Sequence, residues 1–320
     1  MPKAHAFWWT QPNQGDVRVE ALPPLQPGWC RIEALASSIS PGTERLVGAG
    51  RVPQPLWEAM RCPYMEGSFA LPLKYGYSLV GRVVEGAPDW KGQRVHLLHP
   101  HQSAAVVRTT DLVPVPDAVD TSRATLASNM ETAINAVWDS RVALGDRVVV
   151  VGFGIVGALV ALVMRGLQGT EVMVVEVEPE QRALAASLGL TAVKPEAVIP
   201  GEADIAIHAS ATAAGLQTAL DAVGLEGRVV ELSWYGDGTT TLALGGAFHS
   251  QRKQIISSQV SHIPSHRRAR WDHQRRKRLV FRLLADSAWD ACVTSTSPLE
   301  GVPDWFASAQ RGLAHRIDYA

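Results

Sequence analysis

Cysteine is scarce: Cys30, Cys62 and Cys292 are far apart in a chain of 320 residues and form no CxxC pair. That spacing supports neither a disulfide framework nor a thiolate zinc site, and it fits a reducing cytoplasm. Excess charge is also missing. Charged residues make up 19% of the chain and the formal net charge is -1, so nothing global points to a nucleic-acid or membrane-surface partner. Long apolar runs are absent too, because the most apolar stretch, Val148 to Leu162, is interrupted by glycines. The opening MPKAHAFWW lacks the basic, apolar and small-residue order of a signal peptide, and neither export nor a membrane span is expected. No internal repeat or low-complexity tract stands out. What is abundant is hydrophobic residues, 46% of a length that suits two domains.

The chain is organised around Arg147 to Leu190. Arg147 to Val151 is β-branched with no polar break, as in a parallel strand buried on both faces. GFGIVG follows at once. Gly152 suits the tight turn, Gly154 the approach of backbone N–H groups to a pyrophosphate, and Gly157 the close packing of helix on strand, with Ile155 and Val156 between them. A helix is predicted over Ala158 to about Leu167, closed by Gly169, and its free N–H groups and positive dipole end favour an anion beside the turn. A second strand, Glu171 to Val175, leads to Glu176, 19 residues after Gly157. That carboxylate suits two ribose hydroxyls and repels a 2′-phosphate, which favours NAD over NADP, while Arg182 softens the preference. A glycine-rich turn kept for packing alone is the bland alternative.

From Lys3 to about Pro116 short strands alternate with proline and glycine, which reads as a β-rich, barrel-like domain over residues 1–119. Trp57, Met60, Tyr64 and Met65 either line a substrate entrance or cover the barrel end. A helical stretch runs roughly from Ser122 to Val142. Strands and helices then alternate through ADIAIHAS, a helix over Ala213 to Val223, GRVVELSW and KQIISSQV. This pattern predicts an α/β, doubly wound parallel Rossmann sheet over residues 120–262. Past His262 the chain is basic, and its later part reads as an amphipathic helix. The cations from Arg267 to Arg278 form either a solvated face or a grip on an anionic substrate. Residues 263–320 return to the first domain, with a short helix around Asp304 to Arg311 and a last strand, His315 to Tyr319.

This order of domains, with SSISPGTE at Ser37 to Glu44 and YGYSLVGRVVEG at Tyr75 to Gly86, resembles the medium-chain dehydrogenase/reductase superfamily over nearly the whole length. The resemblance implies a GroES-like first domain and a dinucleotide-binding second one. GTE at Gly42 to Glu44 and FHSQRKQIISSQV at Phe248 to Val260 are similar to the zinc-lacking members that resemble bacteriochlorophyllide dehydrogenase. These shared motifs belong to scaffold and cofactor, so that substrate is not carried over. In zinc-dependent members the ligands are cysteine, histidine and cysteine or glutamate around an open water site. Here the first position falls at Ser40 or Pro41, the next two at Tyr77 and Ser78, and the last near Ser128. The four cysteines of the structural zinc lobe are missing as well. No metal is expected, although Glu44, Glu131 or His249 could rebuild a site by another geometry.

Without a metal, the proton of an alcohol–carbonyl interconversion falls to side chains. Tyr77 stands where the ligand histidine would project, and it either exchanges that proton or merely fills the space. Ser40 and Thr43 match a hydroxyl relay in relatives. Glu44 is expected to hold an arginine, such as Arg45 or one from the C-terminal return, rather than to act as base. Thr132 resembles a threonine on the nicotinamide side of the cofactor, with Asn129 and Glu131 nearby. Ala209 and the strand ends His208, Ser210, Ser233, Trp234 and Ser258 should border the cofactor, because ligands of open α/β sheets sit beyond the carboxyl ends of strands. His208 and His249 read more readily as structural histidines than as bases.

The expected function is a cytoplasmic, zinc-independent oxidoreductase that moves a hydride between NAD(H) and an alcohol or carbonyl in a cleft between the domains, acting as a homodimer on a small molecule. Two alternatives stay open: NADPH-dependent reduction of a polarised C=C or C=N bond, and a dinucleotide sensor without catalysis.

Overall fold

The computed structural model describes residues 2–308 and 312–319. The chain forms two compact units, one made of the residues up to Ser128 and from Phe281 onward, the other of Asn129–Val280.

In the Asn129–Val280 unit, six parallel strands lie in the order Thr191–Val193, Glu171–Val175, Arg147–Val151, Ala203–His208, Val223–Glu231 and Gln254–Ser257. Numbered by sequence, this is 3-2-1-4-5-6, the doubly wound order whose direction reverses beside the first strand. The central strand is buried from Val148 to Val151, and Val151 stands level with Val175 on one side and His208 on the other. Helices Ile155–Arg165, Pro179–Ser187 and Ala213–Ala222 make the crossovers. The fold is the expected α/β sheet, with its apolar layer built from Val149, Val151, Val175, Ala206, Leu216 and Leu220 among others.

Two helix boundaries differ from the sequence expectation. The helix after the glycine turn begins at Ile155, three residues before Ala158, because Gly154 is its extended N-cap at φ -78° and ψ -177°. It ends at Arg165, where Gly166 rather than Gly169 is the C-cap. The stretch predicted over Ser122 to Val142 is two helices, Thr121–Ala124 and Ala127–Ser140. Asp120 caps the first by accepting from the Ser122 N–H at 2.7 Å.

The other unit is β-rich. Seven strands form one sheet around Trp29–Ile39, whose neighbours are Leu79–Glu85, Ala104–Arg108 and Ala314–Asp318. Cys30, Ile32, Leu79, Val83, Val95, Leu97 and Val107 fill its core. A smaller four-stranded sheet holds Lys3–Gln11 against Gln14–Ala21. The strand Ala314–Asp318 pairs with Trp29–Ile39, with Ile317 opposite Ser37. The helix predicted up to Arg311 is seen as Val302–Ala307, and Arg311 lies outside the described residues. Among the described residues no helix is long and apolar enough to cross a membrane.

Candidate functional site

The glycine turn joins strand Arg147–Val151 to helix Ile155–Arg165, and each glycine has its own reason. Gly152 has φ +97°, a region side chains rarely adopt, and a Cβ there would meet the Ser210 backbone N at 2.8 Å. A Cβ on Gly157 would fall 2.1 Å from the Gly152 carbonyl oxygen, so only glycine lets the helix sit this close. Gly154 is different. A Cβ there meets nothing within 4 Å, and the residue is exposed. Packing therefore does not demand glycine at 154, whereas a phosphate lying over the turn would. No side chain caps this helix, so its first N–H groups, lacking intrahelical partners, are available to an anion.

Glu176 stands at the end of the neighbouring strand and turns back to this loop. Its Oε2 accepts from the Phe153 N–H at 2.8 Å and its Oε1 from the Glu178 N–H at 3.0 Å. Arg182 donates to the Glu176 carbonyl oxygen at 2.7 Å, which places a guanidinium beside the carboxylate. Room over Gly154, a helix N-terminus and an acidic strand end fit the phosphates and ribose of a dinucleotide.

The next strand ends carry a hydrogen-bonded network. His208 is buried, and its Nδ1 lies 2.8 Å from Glu231 Oε2 while its Nε2 lies 2.7 Å from Ser210 Oγ. Glu231 also accepts from the Ser233 N–H at 2.6 Å and from the Tyr235 hydroxyl at 3.0 Å. Burial raises the Glu231 carboxyl, but the bonds from His208 and Ser233 outweigh it and hold that group below its ordinary range. A carboxylate that accepts from Nδ1 leaves Nε2 as the acceptor for Ser210. Ser210 also pairs with Thr212 Oγ1 at 3.0 Å, and Ser233 Oγ accepts from the Ala211 N–H at 3.0 Å. The network thus ties His208, Ser210 and Ser233 together at the strand ends.

Ala209 donates its N–H to Val151 O at 2.9 Å and lies beside Gly157. Trp234 is partly exposed just beyond. Ser258 is drawn elsewhere, donating to Asp139 Oδ2 at 2.7 Å. Thr132 is partly exposed on helix Ala127–Ser140, and His249 is exposed in the turn Ala247–Ser250.

In the β-rich unit, Ser40, Thr43 and Tyr77 come together. The segment after strand Trp29–Ile39 begins a helix at Pro41, and the Tyr77 hydroxyl takes hydrogen bonds from the Ser40 and Thr43 side chains. Burial first, and the nearby Glu44 carboxylate second, push the phenol well above its ordinary value, and the two hydroxyls only partly offset this. Tyr77 is therefore a hydrogen-bond donor at neutral pH rather than a phenolate. The partners of Glu44 seen among the described residues are a histidine and a backbone N–H rather than Arg45. Its Oε2 lies 2.9 Å from His101 Nε2 and its Oε1 accepts from the Ser40 N–H at 2.8 Å. Arg45 instead donates to the Phe306 and Ser308 carbonyl oxygens at 2.9 and 3.2 Å. Sequence reading missed His101, because HPH at 99–101 shares no motif with the segment it meets.

Two of the positions that the resemblance matches to the ligands of zinc-dependent relatives carry serine hydroxyls. Ser78 Oγ donates to Thr125 O at 2.6 Å and Ser128 Oγ donates to Tyr77 O at 2.7 Å, so both are protonated hydroxyls turned to carbonyls. Among the described residues, no group of three or more His, Cys, Asp and Glu side chains is arranged to hold a metal.

Part of the basic run has a structural job. Arg276 and Lys277 are buried against Glu131, at 3.3 and 2.5 Å, and Arg276 also donates to Asn135 Oδ1 at 2.9 Å. Arg275 lies over the Trp271 ring, 4.2 Å from its centroid. Tyr64 and Met65 cover the β core rather than lining an opening: Met65 is buried, and Tyr64 packs on the core and donates to Asp111 at 2.6 Å.

A dinucleotide-type parallel sheet joined to a β-rich unit defines the architecture, and comparison with known proteins agrees. No family model matches the chain. It is 27% identical over 208 residues to the uncharacterized zinc-type alcohol dehydrogenase-like protein YphC of Escherichia coli, a match covering 60% of this chain and 58% of that protein. It is 26% identical over 248 residues to (R,R)-butanediol dehydrogenase of Bacillus subtilis, covering 67% of this chain and 69% of that one. The chain thus spans between about half and two thirds of the length of these curated relatives. Among solved structures, a candidate zinc-binding dehydrogenase from Sinorhizobium meliloti bound to NADP superimposes with TM-score 0.80 at 18% identity, over 99% of this chain and 100% of that one. An Escherichia coli alcohol dehydrogenase complexed with NADH gives 0.77 at 15% identity over 100% of both chains. The chain is thus similar in sequence to a zinc-type alcohol dehydrogenase-like protein and to a butanediol dehydrogenase, and it shares its fold with these solved dehydrogenases.

Proposed function

We propose that this protein is a zinc-independent oxidoreductase that interconverts a small alcohol and its carbonyl with a nicotinamide dinucleotide, NAD in preference to NADP. The observation that carries the reading is the meeting of Tyr77, Ser40 and Thr43 where zinc-dependent relatives carry metal ligands. Curated relatives named as dehydrogenases, and solved neighbours holding NADP or NADH, support the reaction class.

The bound nicotinamide supplies or accepts the hydride. The N–H groups at Ile155 and Val156 and the space over Gly154 hold the phosphates, and Glu176 takes the adenosine ribose hydroxyls. The same carboxylate repels a 2′-phosphate, with Arg182 as the softening partner. Thr132, His208, Ala209, Ser210, Ser233 and Trp234 border the cofactor, with the buried His208 acting through Ser210. At the reacting carbon, the protonated Tyr77 hydroxyl donates to the carbonyl oxygen and passes its proton on as the alkoxide forms. Ser40 and Thr43 hold that hydroxyl and stabilise the phenolate left behind. Glu131 is neutralised by Arg276 and Lys277, so this cluster is structural rather than an anion grip.

The test is a screen of alcohols and carbonyls by nicotinamide absorbance, followed by Tyr77→Phe. Loss of two or more orders of magnitude in kcat on the substrate found, with dinucleotide affinity unchanged, supports the reading. Full turnover in the Tyr77→Phe, Ser40→Ala double variant would overturn it. NADPH bound well ahead of NADH would favour reduction of a polarised C=C bond instead.

A further inference from the structure

Behind Tyr77 lies a chain of buried polar groups that the proposed reaction does not use. Glu44, His101 and Ser37 have relative exposures of 1%, 0% and 0%, yet each is polar or charged. Such groups are costly to bury unless hydrogen-bonded, and these are bonded to one another in sequence. Glu44 Oε2 lies 2.9 Å from His101 Nε2, His101 Nδ1 lies 2.8 Å from Ser37 Oγ, and Ser37 Oγ lies 2.7 Å from Tyr319 Oη. The four residues come from distant parts of the sequence: the helix at Pro41–Gly48, the loop after Leu97, strand Trp29–Ile39 and the end of the chain.

Two features tie the chain to Tyr77. The other Glu44 oxygen accepts from the Ser40 N–H at 2.8 Å, which fixes the residue whose hydroxyl meets Tyr77. The Glu44 charge also bears on four neighbouring groups, Cys62, Tyr75, Tyr77 and Tyr319. The His101 Nε2–H donates to Glu44, Nδ1 accepts from Ser37, and Ser37 accepts from Tyr319, so the four residues form one run of hydrogen bonds that ends on the carboxylate.

We propose that Glu44 and His101 are positioning residues of the Tyr77 site: the carboxylate pins Ser40 beside the Tyr77 hydroxyl, and the imidazole N–H, backed by Ser37 and Tyr319, holds that carboxylate and screens the charge the hydroxyl faces. The inference rests on the reading of Tyr77 as the proton donor, but its test needs no substrate. A ring-fluorinated tyrosine at position 77 has an intrinsically more acidic phenol, and its titration can be followed by fluorine NMR in the full-length protein. Glu44→Gln keeps an oxygen for the Ser40 N–H and removes the charge, so the fluorophenol should ionise about tenfold more readily. His101→Leu removes the N–H that screens the carboxylate, so the same phenol should ionise less readily.

Opposite shifts support the proposal, because a loosened site would admit water and move both variants the same way. Equal or absent shifts would overturn it. If His101→Leu does not fold, Ser37→Ala, which takes away the second partner of the imidazole and loosens its hold on the carboxylate, should shift the phenol in the His101→Leu direction by a smaller amount, and a shift toward easier ionisation would overturn the proposal. A Tyr77→Phe variant with full turnover would refute the catalytic reading while leaving these shifts in place, so the two failures are distinguishable.

Discussion

Alanine at Gly154 and alanine at Gly157 should fail in different ways, although both alter the same six-residue turn. At Gly154 the backbone angles, φ -78° and ψ -177°, are open to any residue, and the new methyl meets no protein atom within 4 Å. The cost to folding is that of a poorer N-cap, under about 1 kcal/mol, or a few degrees in Tm for a unit this size. At Gly157 the methyl would lie 2.1 Å from a backbone carbonyl that cannot swing away. Helix and strand must then separate, at a cost of about 3 kcal/mol by analogy with overpacked cores. Dinucleotide binding should fall in both, because at Gly154 the methyl takes the place of a phosphate oxygen. Losing one or two phosphate hydrogen bonds costs about 1.5–3 kcal/mol each, which is at least a tenfold rise in Kd. Thermal melts of the apo protein and quenching titrations with NADH measure the two effects separately. NADH affinity unchanged in Gly154→Ala would refute the placement of the pyrophosphate over this turn. A melt of Gly157→Ala equal to that of the wild type would refute the packing argument.

Three further predictions follow from named contacts. Glu176→Ala should narrow the gap between NADH and NADPH affinity, and the same titrations read it; an unchanged ratio would remove Glu176 from the ribose site. Glu131→Ala leaves Arg276 and Lys277 buried without their counter-charge, and urea unfolding should show a loss of about 3 kcal/mol. Burial lowers His99 from 6.5 to about 4, so its neutral form is favoured by folding; the stability it contributes is complete above pH 6.5 and is lost as pH falls toward 4, by about 3 kcal/mol in all. His99→Leu should flatten that part of the stability profile in urea titrations between pH 7 and pH 4.

The parallel sheet was legible because its strands announce themselves: Arg147 to Val151 has no polar interruption, and the glycines that follow have separate steric reasons. Helix limits were less so, because Ile155 and Val156 belong equally to a turn motif and to a first helical turn. The meeting of Ser40, Thr43 and Tyr77 came from motif resemblance, not from periodicity. The partner of Glu44 was out of reach, since a buried carboxylate can be matched by a histidine 57 residues away as well as by an adjacent arginine. Likewise nothing in a run of arginines distinguishes the exposed Arg278 from the buried Arg276. The contact of Arg276 with Glu131 does that.

The sheet around Trp29–Ile39 is completed by Ala314–Asp318, nearly three hundred residues later, while the Asn129–Val280 unit is a single uninterrupted stretch. During synthesis the nucleotide-type unit can collapse on its own as soon as it emerges. The upstream half must wait with an open sheet edge until Ala314–Asp318 has been made. Mutations that slow the arrival of that strand should therefore act on yield and aggregation in the cell before they act on any property of the finished molecule.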